Sequence, residues 1–157
     1  EYLTREALRE LPDGTWSFTD TLDNDGLTED PIVVKCTITK KADEMAVDFD
    51  GTSPQCTSAI GPVFSTAEGM VYIALKGLLG THIPNTWGLR RPITITAPEG
   101  SFANPLPPTA VASRYIGARI INHAVWGALA QMAPEKVFGC PGGSFCSTVF
   151  SGYDKIF

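Results

Sequence analysis

Asn85, Arg90, Arg91, Glu99 and Asn104 fall within one stretch, NTWGLRRPITITAPEGSFANPLPP, residues 85–108. An arginine presents a planar fork of donors that matches a carboxylate or a phosphate. Held on a rigid turn, Arg91 is the candidate for gripping an anionic group. Asn85, Gly88, Glu99 and Asn104 would shape the wall around that group. The same arginine equally suits a structural ion pair with Glu99, and spacing does not separate the two readings. The rigidity itself is legible: Pro92 and Pro98 bracket a short alternating strand. Gly88 and Gly100 supply turns where a side chain would not fit. A second candidate is AVDFDGTSPQ, residues 46–55. Asp48 and Asp50 flank its Asp-Gly turn, and Thr52 and Ser53 extend it with hydroxyls. Asp50 is expected to stabilise the turn. Asp48 is the residue there that could orient a water or a neighbour.

Other chemistries lack their residues. No GxxxxGK[ST], GxGxxG or GxSxG occurs, so no nucleotide loop or nucleophile elbow is recognisable. His82 and His123 are the only histidines, without HxH or HExxH spacing, which is weak ground for a metal. His82 reads as a surface or capping residue and His123 as a partly buried, hydrogen-bonded one. The loop DNDG at 23–26 superficially resembles a calcium loop, but position twelve is Val34 rather than an acid. The cysteines at 36, 56, 140 and 146 form no CxxC pair and read as free thiols. GCPGGS, residues 139–144, reads as a turn rather than an anion cradle, with no strand before it and no helix after it.

The chain has 157 residues, 43% hydrophobic and 18% charged, with net charge −5. That is a globular composition with room for a core. The acidic balance, with Lys40-Lys41 and Arg90-Arg91 as the basic pairs, argues against nucleic acid or an anionic membrane as partner. The longest apolar run, GMVYIALKGLLG, is broken by Lys76 and three glycines. It is too short to span a bilayer. The charged opening EYLTREALRE is no signal peptide and points to a cytoplasmic protein. The missing initial Met and the open end GYDKIF suggest a single domain over 1–157 or an internal piece of a longer chain.

Periodicity supplies the elements that must position these residues. Residues 1–11 read as a helix with Leu3, Ala7, Leu8 and Leu11 on one face. TWSFTDTL reads as a strand, and PIVVKCTITKK and EMAVDFDG as a hairpin. Ser65 and Glu68 form a capping-box pattern ahead of a helix carrying Ala67, Val71, Ala74, Leu75 and Leu78, ending at Gly80. ITIT is a strand. A helix from about Ser113 to Met132 carries Ile116, Ile120, Ala124, Ala128 and Met132. The order predicts an α+β fold: antiparallel strands with two or three packed helices.

Several of these motifs, in this order, resemble the hydantoinase B/oxoprolinase family. They are LPDGTWSFTDTLDNDG at 11–26, AVDFDGTSPQ at 46–55, PNTWGLRRPITITAPEGSFANPLPP at 84–108 and ALAQMAPEKV at 128–137. The chain departs from the family in carrying Asn85-Thr86-Trp87-Gly88 where an Asn-Ala-Gly is usual. The resemblance implies part of the B-type subunit of an ATP-dependent enzyme opening cyclic amides of the hydantoin or 5-oxoproline type. An acetone-type ketone carboxylase subunit is the alternative within enzymes. A structural and assembly module with no chemistry of its own is the alternative outside them. ATP is expected on a hydantoinase A-type partner, in an oligomeric assembly with a small-molecule substrate. A divalent metal would belong to an N-terminal part not represented here, so no metal ligand is assigned in this chain. The resemblance also gives Arg91 the anionic group of a substrate or an activated intermediate. Alone, this stretch is expected to be inactive.

Overall fold

The computed structural model describes residues 1–137. In chain order the elements are α1 (Tyr2–Arg9), β1 (Gly14–Leu22), β2 (Ile32–Lys41), β3 (Glu44–Asp48), α2 (Phe64–Leu79), α3 (Trp87–Arg90), β4 (Ile93–Thr96) and α4 (Arg114–Met132). The strands form one sheet in the order β1-β2-β3-β4. The architecture is α+β.

β1 and β2 pair antiparallel from Gly14 opposite Lys40 to Leu22 opposite Ile32. β2 turns into β3 through Ala42, whose φ is 53°. That left-handed conformation disfavours a residue with a Cβ. Asp13 helps to hold it, because its Oδ1 accepts the Ala42 amide at 3.0 Å. The same Oδ1 accepts from Lys40 Nζ at 2.7 Å, and the Leu11 carbonyl accepts from that ammonium at 2.6 Å. Lys40 is 3% exposed, a burial tolerated because both partners are in place. The Lys40 ammonium in turn holds the Asp13 carboxyl below its ordinary pKa.

β4 departs from the antiparallel expectation. It lies parallel to β3, with Met45 beside Ile93 and Asp48 beside Thr96. The chain leaves β3, passes through α2 and α3, and re-enters the sheet in the same direction. Parallel neighbours need such a crossover.

The sheet has two unlike faces. Ile32, Val34, Cys36, Ile38, Met45, Val47 and Ile93 are all buried, and the alternation of the strands puts them on one side. α4 lies over β1 and β2 on this side and packs against α2. Contact on two sides buries more of α4 than a single stripe: Ile121, Val125 and Leu129 join Ile120, Ala124, Ala128 and Met132, while Ile116 is only half-buried. The other face of the sheet is hydroxyl-lined. Thr15 and Thr39 hydroxyls meet at 3.1 Å and those of Ser17 and Thr37 at 3.2 Å.

Two helix starts differ from expectation. In α1 the buried residues are Thr4 and Leu8, followed by Leu11, while Leu3 is 43% exposed. The inward face is therefore turned by one residue. α2 begins at Phe64 with Val63 at its cap position, and no side chain caps it. Ser65 already sits inside the helix, so the capping box does not form. The apolar positions of α2, Ala67, Val71, Ala74, Leu75 and Leu78, are buried as their spacing predicts.

The start of α4 is seated by a glycine. A Cβ at Gly117 would stand 2.5 Å from the Ile60 carbonyl oxygen and 2.8 Å from the Phe102 ring. The Gly117 amide donates to that carbonyl at 3.2 Å. This contact ties α4 to the loop after TSPQ and to the 85–108 segment.

Candidate functional site

The 85–108 segment is built in three parts. Trp87–Arg90 forms one helical turn, α3, anchored by Leu89 at 1% exposure. Sequence reasoning took this part for an irregular turn. β4 follows, then the loop from Ala97 to Pro108. Gly88 is needed for close approach, since a Cβ there would stand 2.6 Å from the backbone nitrogen of Glu1.

Arg91 follows α3 directly. Its Nη1 donates to Glu1 Oε2 at 3.0 Å, and its side chain is 61% exposed. Arg91, and after it Arg5, hold the Glu1 carboxyl below its ordinary pKa. Glu99 is exposed and makes no ion pair among the described residues. The structural ion pair that spacing offered is therefore not formed. β4 lies between the two residues, and its four residues alone cover roughly 10 Å. Beside Arg91 is an open cleft of about 240 Å³ whose lining includes Lys41, Glu44 and Thr94.

Asp48 stands at the far end of the β3–β4 pair, beside Thr96. Its Oδ1 accepts the Thr96 hydroxyl at 2.8 Å and the Asp50 amide at 3.3 Å. Arg91 and Asp48 are thus separated by the length of β4 and do not converge on one reacting atom. Thr52 and Ser53 continue the ladder of β2. The Thr52 hydroxyl donates to the Lys35 carbonyl and accepts from the Lys35 amide, both at 3.2 Å. Ser53 Oγ accepts the Val33 amide at 2.9 Å. Ser53 also lines a cleft of about 260 Å³ with Asp25, Gln55 and Cys56. Asn104 staples its own loop, with Nδ2 donating to the Ala97 carbonyl at 3.1 Å. Its carbonyl accepts the Gly100 amide at 2.9 Å.

Asn85 and Arg90 join residues of α2 that sequence reasoning did not select. They line a cleft of about 350 Å³ with Gly69, Tyr72, Ile73 and Lys76. The Arg90 guanidinium lies 4.6 Å from the centre of the Tyr72 ring and 5.9 Å from that of Trp87. A usable signal was present: Tyr72 and Lys76 are four apart on α2 and share one face.

The remaining candidates are accounted for locally. His123 Nδ1 lies 3.6 Å from Asp20 Oδ2 between α4 and β1, as a partly buried histidine should. His82 is exposed. Asp25 Oδ1 accepts the Leu27 and Thr28 amides, each at 2.8 Å, which shapes the DNDG loop. These amides, Thr28 first, keep the Asp25 carboxyl below its ordinary pKa. Cys36 and Cys56 are free, and burial, with a smaller effect from Asp48, pushes the Cys36 thiol up to about 12. Cys140, Cys146 and the loop at 139–144 lie outside the described residues. Among the described residues no group of three His, Cys, Asp or Glu is placed to hold a metal. No described helix is long and apolar enough to cross a membrane.

Comparison with known proteins accords with this architecture. The chain is 31% identical over 148 residues to the B-type subunit of a putative D-/L-hydantoinase of Pseudomonas sp. (strain NS671), covering 87% of this chain and 25% of that protein. It is 30% identical over 100 residues to 5-oxoprolinase of Saccharomyces cerevisiae, covering 62% of this chain and 8% of that protein. The crystal structure of ATP-dependent caprolactamase from Pseudomonas jessenii superposes with a TM-score of 0.77 at 27% identity, over 85% of this chain and 23% of that one. A nucleotide-free acetone carboxylase structure shares the fold, with a TM-score of 0.69 at 16% identity over 82% of this chain and 19% of that one. The chain thus spans a quarter or less of these proteins. The hydantoinase B/oxoprolinase family model matches residues 1–156, and the chain belongs to the hydantoinase B/oxoprolinase family.

Proposed function

We propose that the chain is part of the B-type component of an ATP-dependent enzyme that opens cyclic amides of the hydantoin or 5-oxoproline type. The observation that carries this reading is the likeness to an ATP-dependent caprolactamase, because caprolactam is itself a cyclic amide. ATP would be used on an A-type partner component. In this reading Arg91 grips the anionic group of a ring-opened or phosphorylated species. Its fork of donors fits a carboxylate or phosphoryl oxygen, and it stands over an open cleft shared with Lys41. Glu1 occupies the fork in the free chain, so an anionic ligand would exchange one carboxylate for another. Gly88 lets the turn before Arg91 approach Glu1, Asn85 lines the neighbouring cleft, and Glu99 and Asn104 belong to the loop beyond β4. Asp48, Thr52 and Ser53 hold the 48–55 turn, and Ser53 lines the cleft of about 260 Å³ beside it, where substrate contact is the role assigned to this turn.

The test is substrate-dependent ATP hydrolysis by the complete protein with its A-type partner. A hydantoin, lactam or 5-oxoproline should stimulate hydrolysis. Arg91→Ala should lower turnover about 100-fold while leaving the unfolding midpoint nearly unchanged, since exposed ion pairs contribute little stability. A strict requirement for bicarbonate and a ketone would overturn the reading in favour of a carboxylase. Partner binding without stimulation by either class would reduce this region to an assembly module. A marked loss of stability in Arg91→Ala, with full activity per folded molecule, would remove Arg91 from the site.

A further inference from the structure

We propose that the cleft between α2 and α3 is a separate binding site for a small oxyanion, a carboxylate or a phosphate, gripped by Arg90 and Lys76. The cleft, about 350 Å³, is lined by Gly69, Tyr72, Ile73, Lys76, Asn85 and Arg90. Two cations and one carboxamide face it, and no carboxylate is in its lining. The Arg90 guanidinium carbon lies over the Tyr72 ring, 4.6 Å from its centre, with the Trp87 ring centre at 5.9 Å. Stacking uses the face of a guanidinium and leaves its edge donors for an acceptor in the plane. Among the described residues no hydrogen bond or ion pair engages that edge. Several neighbouring cations have carboxylate partners, Arg91 with Glu1, Arg5 with Glu1 and Asp43, and Lys40 with Asp13, whereas Arg90 and Lys76 form no ion pair among the described residues.

Lys76 is one turn beyond Tyr72 on α2, and its Nζ donates to the Thr81 carbonyl at 3.0 Å. That contact steadies the ammonium and leaves two of its three hydrogens. At Gly69 the cleft is open space, for a Cβ there would meet nothing within 4 Å. Glu68, one turn before Tyr72, acts on the Tyr72 hydroxyl and is not part of the cleft lining. The site is distinct from the one around Arg91. Arg91 faces the cleft beside β3 and β4, whereas Arg90 faces α2.

Trp87 is 69% exposed beside Arg90 and serves as the reporter. The complete protein is titrated at low salt with inorganic phosphate, and separately with acetate, following calorimetric heat and the part of the tryptophan fluorescence that Trp87→Phe removes. Saturable binding of either probe, weakened about tenfold or more in Arg90→Ala, is the expected result. Phosphate binding alone would identify a phosphoryl ligand, and binding of both probes a general oxyanion site. Ile73→Glu places an acid at a position already 58% exposed and should weaken binding without altering Arg90. Absence of saturable binding for both probes, or equal affinity in wild type and both variants, would overturn the proposal.

Discussion

The two flanks of β4 use their polar side chains in opposite ways. Beyond the strand, Asn104 and the Gln55 that packs on its loop are spent on backbone. Asn104 Nδ2 donates to the Ala97 carbonyl at 3.1 Å. Gln55 makes a double contact with Leu106, donating to its carbonyl at 3.3 Å and accepting its amide at 2.7 Å. Before the strand the polar side chains are left open. Asn85 makes no hydrogen bond among the described residues, the Arg90 guanidinium meets the Tyr72 and Trp87 rings but no carboxylate, and Arg91 holds one exposed acid. The contrast separates two roles that look alike in a sequence. Polar groups satisfied by their own loop give it shape, and polar groups with open donors are available to a ligand.

Mutations can break this contrast. The largest effect is expected from Phe102→Ala. Phe102 is fully buried beside Gly117, so the variant should lose about 3–5 kcal/mol in denaturant unfolding. A loss below about 1 kcal/mol would show that the far flank is not anchored by its core contact. Asn104→Ala removes one side-chain staple from a half-buried loop and should cost about 1–2 kcal/mol. Asn85→Ala should change stability by less than about 0.5 kcal/mol. If Asn85 and Asn104 cost the same, the division between shaping and open side chains fails.

Much of the frame was legible in the sequence because it follows from periodicity. The helix expected from about Ser113 to Met132 is α4, Arg114–Met132, and the hairpin around Ala42 pairs as its alternation requires. What escaped depends on distant partners. The parallel pairing of β4 with β3 follows from a crossover path, which alternation in a four-residue strand does not encode. Leu3 faces outward and Thr4 inward because of what α1 packs on, and helical spacing alone allows either face. Ser65 has the chemistry of a cap, yet the chain turns helical one residue before it. The site divides similarly. Arg91 and Glu99 are near in sequence, but Arg91 found Glu1, 90 positions away. Arg90 gained its place only when α3 brought it over Tyr72. The family motifs were legible as ordered strings, since they owe nothing to tertiary contact.

The parallel pair also implies an order in time. β1, β2 and β3 are joined by short connections and can zip together from neighbouring segments. β4 must wait, because residues 49–92 lie between it and its only partner strand among the described residues. Closing so long a loop costs chain entropy before any β3–β4 hydrogen bond forms. α2 shortens that loop once it has coiled, from an extended tether to a compact span. The arginine-bearing turn at 87–91 directly precedes β4, so it is fixed in place with that last strand. The clefts beside Arg90 and Arg91 are therefore expected to complete late in folding, on a meander that forms first.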